Sequence, residues 1–150
     1  MEQALVGTRQ RLAVQGVYEL VLEVDDLAAA ERFYVDVIGL AVVARWEPPR
    51  LATWLDIGEG GFLGLWPVET GGVNAIHNGR GGRHVHVALR VAHDSLKGLA
   101  VRIESAGFPT EWRHFNDGNV ALYVTDPDGN VVEFTELVVR WDGQPESREV

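Results

Sequence analysis

Residues 17–24, VYELVLEV, alternate along the chain, with Val17, Glu19, Val21 and Glu23 on one side and Tyr18, Leu20, Leu22 and Val24 on the other. Such a pattern predicts a strand with one wholly apolar face. Asp26 then stands where a helix N-cap belongs, and Leu27, Ala30, Phe33, Tyr34, Val37 and Ile38 follow at three-and-four spacing. Gly39 ends that helix, with Leu40 beside it as the hydrophobic contact of a glycine C-cap. Three extended segments come next, about 40–47, 51–57 and 62–68, parted by Pro48-Pro49 and by Gly58-Glu59-Gly60-Gly61. This half of the chain reads β-α-β-β-β.

Residues 69–83 show no periodicity, so they serve either as a linker or as a loop over a site. After them the pattern returns. Over 83–91, His84, His86, Ala88 and Arg90 share one face, and Val85, Val87, Leu89 and Val91 form an apolar one. Leu96, Leu99, Ala100, Ile103 and Ala106 mark a second helical stripe, weakened by Gly98 and ended by Gly107 with Phe108 beside it. Extended segments follow near 110–114, 119–124 and 130–138, the last two joined by the turn Asp126-Pro127-Asp128-Gly129. Glu19 and His86 hold corresponding positions, as do Gly39 and Gly107, which makes the second half an internal repeat of the first. The expected class is α+β, a single domain over 1–150 with module one at about 16–68, the linker at about 69–83 and module two at about 84–138. The polar tail from Trp141 to Val150 is expected to fray.

Composition narrows the chemistry. With 150 residues, 46% of them hydrophobic, one sizeable core is within reach. Cysteine is absent, which leaves His and carboxylates as the available metal ligands. A formal charge of −9 and a pI near 4.9 exclude a nucleic-acid partner, since phosphate binding needs clustered Lys and Arg. No segment has the apolar length of a signal peptide or a membrane span, so the expectation is a cytoplasmic protein with no membrane partner.

At this level of detail the residues resemble a known superfamily, the vicinal-oxygen-chelate proteins of glyoxalase, bleomycin-resistance and extradiol-dioxygenase type. The run from Glu19 through Asp26-Leu27 and Phe33-Tyr34 to Ile38-Gly39-Leu40 resembles the family's first module. His86 to Val91 resembles the start of the second, and Tyr123 to Phe134, YVTDPDGNVVEF, resembles its closing hairpin. The resemblance implies two curved mixed sheets forming an open, barrel-like cavity that holds a divalent metal. Carried over position by position, it implies Glu19, His86 and Glu133 as ligands, with Glu19 and Glu133 also the catalytic candidates. It further implies a homodimer in which modules pair across subunits. Two positions depart from the pattern: the first-strand ligand, often His or Gln, is Glu19, and Gly64 stands where glyoxalase-type members place a fourth ligand.

Two carboxylates and one imidazole suit divalent Mn, Fe, Ni, Zn or Co, and three protein ligands leave positions open for two adjacent substrate oxygens. Taken singly, Glu19 reads as a solvated strand residue and His86 as a hydrogen-bonded one, whereas Glu133 interrupts an apolar run and is harder to explain that way. His84 shares the face of His86 and is the rival ligand; His77 and His114 read as surface residues. Trp46, Trp54, Trp66 and Trp112 are expected mainly to pack the core, with lining of a ligand pocket as the other role. The resemblance implies a metal-dependent enzyme acting on a small molecule with vicinal oxygens. Lyase or isomerase chemistry is favoured over ring-cleaving dioxygenation, because the family's ferrous dioxygenases use two His and one Glu. The alternative is a metal-free protein that sequesters a drug or metabolite, as bleomycin-resistance proteins do.

Overall fold

The computed structural model describes residues 12–68, 86–140 and 142–146; the expected linker at 69–83, His77 and His84 lie outside these described residues. Module one comprises β1 (Glu19–Val24), α1 (Leu27–Glu31) with a π-helical continuation (Arg32–Ile38), β2 (Val42–Trp46), β3 (Ala52–Asp56) and β4 (Phe62–Pro67). Module two comprises β5 (Val87–Arg90), α2 (Leu96–Ser105), β6 (Thr110–His114), β7 (Val120–Thr125) and β8 (Val131–Glu136). Each module builds one four-stranded sheet, ordered β1-β4-β3-β2 and β5-β8-β7-β6. The first and last strands of each module pair in parallel and the rest antiparallel, so both sheets are mixed. The doubled β-α-β-β-β pattern is therefore the observed architecture, an open α+β fold.

The first helix starts where the sequence places it, with the Asp26 side chain accepting from the Ala29 amide at 3.0 Å. One continuous α-helix was the expectation, but from Arg32 the turns widen to π geometry. The burial pattern supplies a reason: Phe33 and Tyr34 are neighbours in sequence and both are buried along with Ile38. Closing backbone bonds five residues apart holds both rings and Ile38 on the inner side. Gly39, at φ 97°, then reverses the chain, and the Gly39 and Leu40 amides both donate to Tyr34 O, at 3.2 and 2.9 Å.

The apolar faces of both sheets converge on the two helices. Leu22, Val24, Phe33, Leu55, Leu63 and Leu65 of module one share one core with Leu96, Ile103, Leu122, Val132 and Phe134 of module two. Across the seam the rings of Phe33 and Phe108 meet edge to face at 4.8 Å. Three polar ties reinforce it. Tyr34 Oη donates to Asp126 Oδ2 at 2.7 Å, and Asp126 also accepts from the Asn130 amide and side chain at 2.8 and 3.0 Å. The Asp25 amide donates to Asp128 Oδ1 at 3.0 Å. Arg102 donates from Nε to Val37 O at 3.1 Å and from Nη2 to Ile38 O at 2.7 Å, placing a cation on carbonyls at the helix C-terminus. No helix of the described residues is long and apolar enough to cross a membrane.

Two outcomes follow at the seam. Tyr34→Phe removes a donor from a buried carboxylate and is expected to lower unfolding stability by about 1–3 kcal/mol, read by urea titration. The Asp128 carboxyl is raised from its ordinary value, chiefly by burial and also by the charges of Asp126, Asp25 and Asp26, against the lowering effect of the Asp25 amide. A carboxyl whose pKa is raised on folding favours the native state at low pH, and this is lost as pH rises through the folded value. Asp128→Asn, which retains the acceptor, is accordingly expected to be more stable than the parent at pH 7 and no more stable at pH 3.

Candidate functional site

Strand alternation commits one face of each sheet to the helices, so the chemistry-bearing residues fall on the other. In module two, Glu133 lies opposite Ala88 of β5 and Tyr123 of β7. His86 immediately precedes β5, two residues before Ala88 and so on the same face. The structure brings three side chains together there. His86 Nε2 lies 2.9 Å from Glu133 Oε2, and Tyr123 Oη donates to that same oxygen at 2.7 Å. The rings of His86 and Tyr123 meet edge to face at 5.7 Å. Glu133 is only 8% exposed, and a buried carboxylate is tolerable only with partners of this kind. Tyr123 was not singled out from the sequence as a site residue, although the turn at 126–129 sets the hairpin register that faces it with Glu133.

The pair fits a divalent ion. Imidazole nitrogen and carboxylate oxygen each sit about 2.0–2.2 Å from a metal such as zinc, so two such atoms at right angles stand about 3 Å apart. The observed 2.9 Å matches two adjacent coordination positions.

Module one repeats the arrangement with different residues. Gly64 of β4 lies opposite Val21 of β1 and Trp54 of β3, as Glu133 lies opposite Ala88 and Tyr123. Glu19, two residues before Val21, occupies the place of His86. It is exposed on its own sheet, and the structure does not bring it to His86 and Glu133 within the chain. Among the described residues the one trio of His or carboxylate side chains with ligand atoms within 4.8 Å of one another is His93, Asp94 and Glu136. Of these, Glu136 already caps α2 by accepting from the Leu96 amide at 3.0 Å. His114 stacks on Trp112 at 6.3 Å on the edge strand β6.

Trp54 is buried as expected, at 8% exposure, but none of the four tryptophans joins the shared core. Trp46, Trp54 and Trp66 lie on the face of module one turned away from the shared core, with ring centroids 5.3 Å (46–54), 5.7 Å (46–66) and 6.0 Å (54–66) apart. Trp112 is also outside that core, on the outer strand of module two. Hydropathy placed these rings in sheets but could not choose their face, because a tryptophan suits either side of a pleat. Gly64 is what admits them: a Cβ there would stand 2.8 Å from Trp54 Cζ3 and 3.0 Å from Trp66 Nε1.

These features, two mixed four-stranded sheets in tandem with a His–Glu pair on the free face, define a class of protein. The chain matches the Glyoxalase/Bleomycin resistance protein/Dioxygenase superfamily over residues 16–134, and it belongs to that superfamily. It is similar to the glutathione transferase FosA of Serratia marcescens, 27% identical over 80% of this chain and 79% of that protein. A lactoylglutathione lyase from Agrobacterium tumefaciens superimposes with a TM-score of 0.60 at 26% identity, over 82% of this chain and 94% of the other. A glyoxalase/bleomycin resistance protein/dioxygenase domain from Frankia shares the fold with a TM-score of 0.68 at 20% identity, over 83% of this chain and 98% of the other.

Proposed function

We propose that this protein is a metal-dependent enzyme acting on a small molecule that chelates a divalent cation through two adjacent oxygens, with His86, Glu133 and Glu19 as the metal ligands. The observation that carries this reading is the separation of 2.9 Å between His86 Nε2 and Glu133 Oε2 on the sheet face turned away from the two helices. Because Glu19 lies on the other sheet, a second copy supplies it. Val21 and Val43 are each more than 40% exposed on module one, apolar surface that a homodimer would bury.

Bound at this pair, a divalent ion of the Mn, Fe, Ni, Zn or Co type supplies Lewis-acid polarisation of a carbonyl or hydroxyl oxygen. The chain's residues do the rest. Tyr123 holds Glu133 in place by donating to Oε2, which keeps that carboxylate a ligand and fixes its orientation. Glu19, on the exposed end of β1, would be one of the residues that hold the ion and, being less enclosed than Glu133, the carboxylate that would carry a proton to or from substrate carbon. Lyase or isomerase chemistry is favoured over ring cleavage, since two carboxylates and one imidazole depart from the two-His, one-Glu set of the ferrous dioxygenases. The similarity to a lactoylglutathione lyase and a glutathione transferase supports group transfer or proton transfer in the same direction. The second reading, a metal-free sequestering protein of the cytoplasm, draws on the tryptophan cluster.

Metal analysis separates the two readings. Glu133→Gln nearly preserves shape and removes one charge, so bound metal per chain is expected to fall at least about tenfold, as it is in His86→Ala. Unchanged stoichiometry in both variants would leave the sequestering protein as the better account. Light scattering at micromolar concentration is expected to give twice the mass of one chain; a monomer would argue against sharing of Glu19.

A further inference from the structure

We propose that Trp46 and Trp54 form an aromatic wall beside the metal position, and that the substrate accordingly carries an aromatic ring attached to its chelating oxygens. The inference rests on the metal reading above and adds the class of substrate to it. Its starting point is the repeat. Glu19 bears to Gly64 the relation that His86 bears to Glu133, and in module two that relation brings the side chains to 2.9 Å. A side chain at 64 would therefore stand beside the Glu19 carboxylate, which the reading above brings, with Trp54 and Trp46 of the same copy, to the His86–Glu133 pair of the other copy. That volume is instead taken by the Trp54 ring, whose Cζ3 lies 2.8 Å from where a Cβ at 64 would be. Trp54 is also the counterpart of Tyr123, since each faces the corresponding β4 or β8 residue directly across its hairpin. Where module two presents a phenol and a carboxylate, module one presents an indole over a glycine.

The position beside Glu19 is thus bordered by the indole of Trp54, itself only 8% exposed. Trp46 extends the surface outward: its ring packs 5.3 Å from Trp54 yet remains 42% exposed. A flat ring fits against such a surface by offset or edge-to-face packing, whereas a methyl or hydrogen substituent leaves most of it in contact with water. Glu19 and Glu23 share this face and disfavour an anionic substituent on the ring.

Benzohydroxamate and acetohydroxamate test the wall, because both chelate through the same two oxygens and differ only in phenyl against methyl. Titrated into the full-length protein loaded with Co2+, with the visible spectrum as readout, benzohydroxamate is expected to bind at least about tenfold tighter. That preference is expected to shrink to within about twofold in Trp54→Leu and in the more exposed Trp46→Ala, with acetohydroxamate affinity unchanged. Equal affinity for the two probes, or a preference that both variants retain, overturns the wall while leaving the metal site standing so long as His86→Ala abolishes binding of both. A phenyl preference that survives His86→Ala and vanishes in Trp54→Leu keeps the wall and overturns the metal reading. If the indoles are covered by the second copy, the two variants convert dimer to monomer without altering the ratio, which also overturns the proposal.

Discussion

Each sheet in this protein has a single helix to cover it, and a sheet has two faces. One helix of ten residues, or a shorter α-helical turn with its π-helical continuation, shields one side of four strands, and among the described residues no helix packs on the other. Putting both helices into one seam lets Leu22, Val24, Phe33 and Leu63 share a dry interior with Ile103, Leu122 and Phe134. Everything placed on the remaining faces has to tolerate water, a ligand or another protein surface. That constraint explains why a buried carboxylate with a tyrosine and a histidine, and a stack of three indoles, occur on those faces and not in the shared core.

Much of the architecture was legible because the relevant signals are local. Asp26 and Gly39 mark the ends of the first helical segment, Gly107 follows the second helix, and the period-two runs mark the strands and separate their faces. The repeat then placed Glu19 and His86 on corresponding strands, and the resemblance of YVTDPDGNVVEF to the family's closing hairpin singled out Glu133. The widening of the first helix was not legible, since the i+3 and i+4 spacing of Phe33, Tyr34, Val37 and Ile38 reads equally as α. Nor was the side chosen by the tryptophans, which depends on the missing side chain at position 64 and hence on a contact between strands. Tyr123 could have been found by counting outward from the Asp126–Gly129 turn. The position of Glu19 relative to the other two depends on how modules meet, which no local pattern encodes.

The two modules are similar in backbone and unlike in purpose. In the second, a central strand carries Glu133, flanked by Tyr123, and the surrounding Ala121 and Val131 keep the setting apolar. In the first, the same central position is Gly64, flanked by Trp54. Exchange of a carboxylate and phenol for a glycine and indole removes a charge and adds a broad carbon surface. A duplicated scaffold can thus carry a charged cluster on one half and a carbon surface on the other.

The ladders carry a further consequence, for assembly. Among the described residues every strand pairs with a strand of its own module, even in the parallel pairs β1–β4 and β5–β8. Among the described residues the halves are joined by the core seam with the Tyr34–Asp126, Asp25–Asp128 and Arg102–Ile38 bonds and the Arg90–Glu59 ion pair. A module can therefore leave its neighbour without breaking one inter-strand hydrogen bond. Two chains trading halves would re-form the same seam in a different connection, so the barrier between a closed and an exchanged arrangement is set by a handful of side chains and the shared core, and not by the sheets.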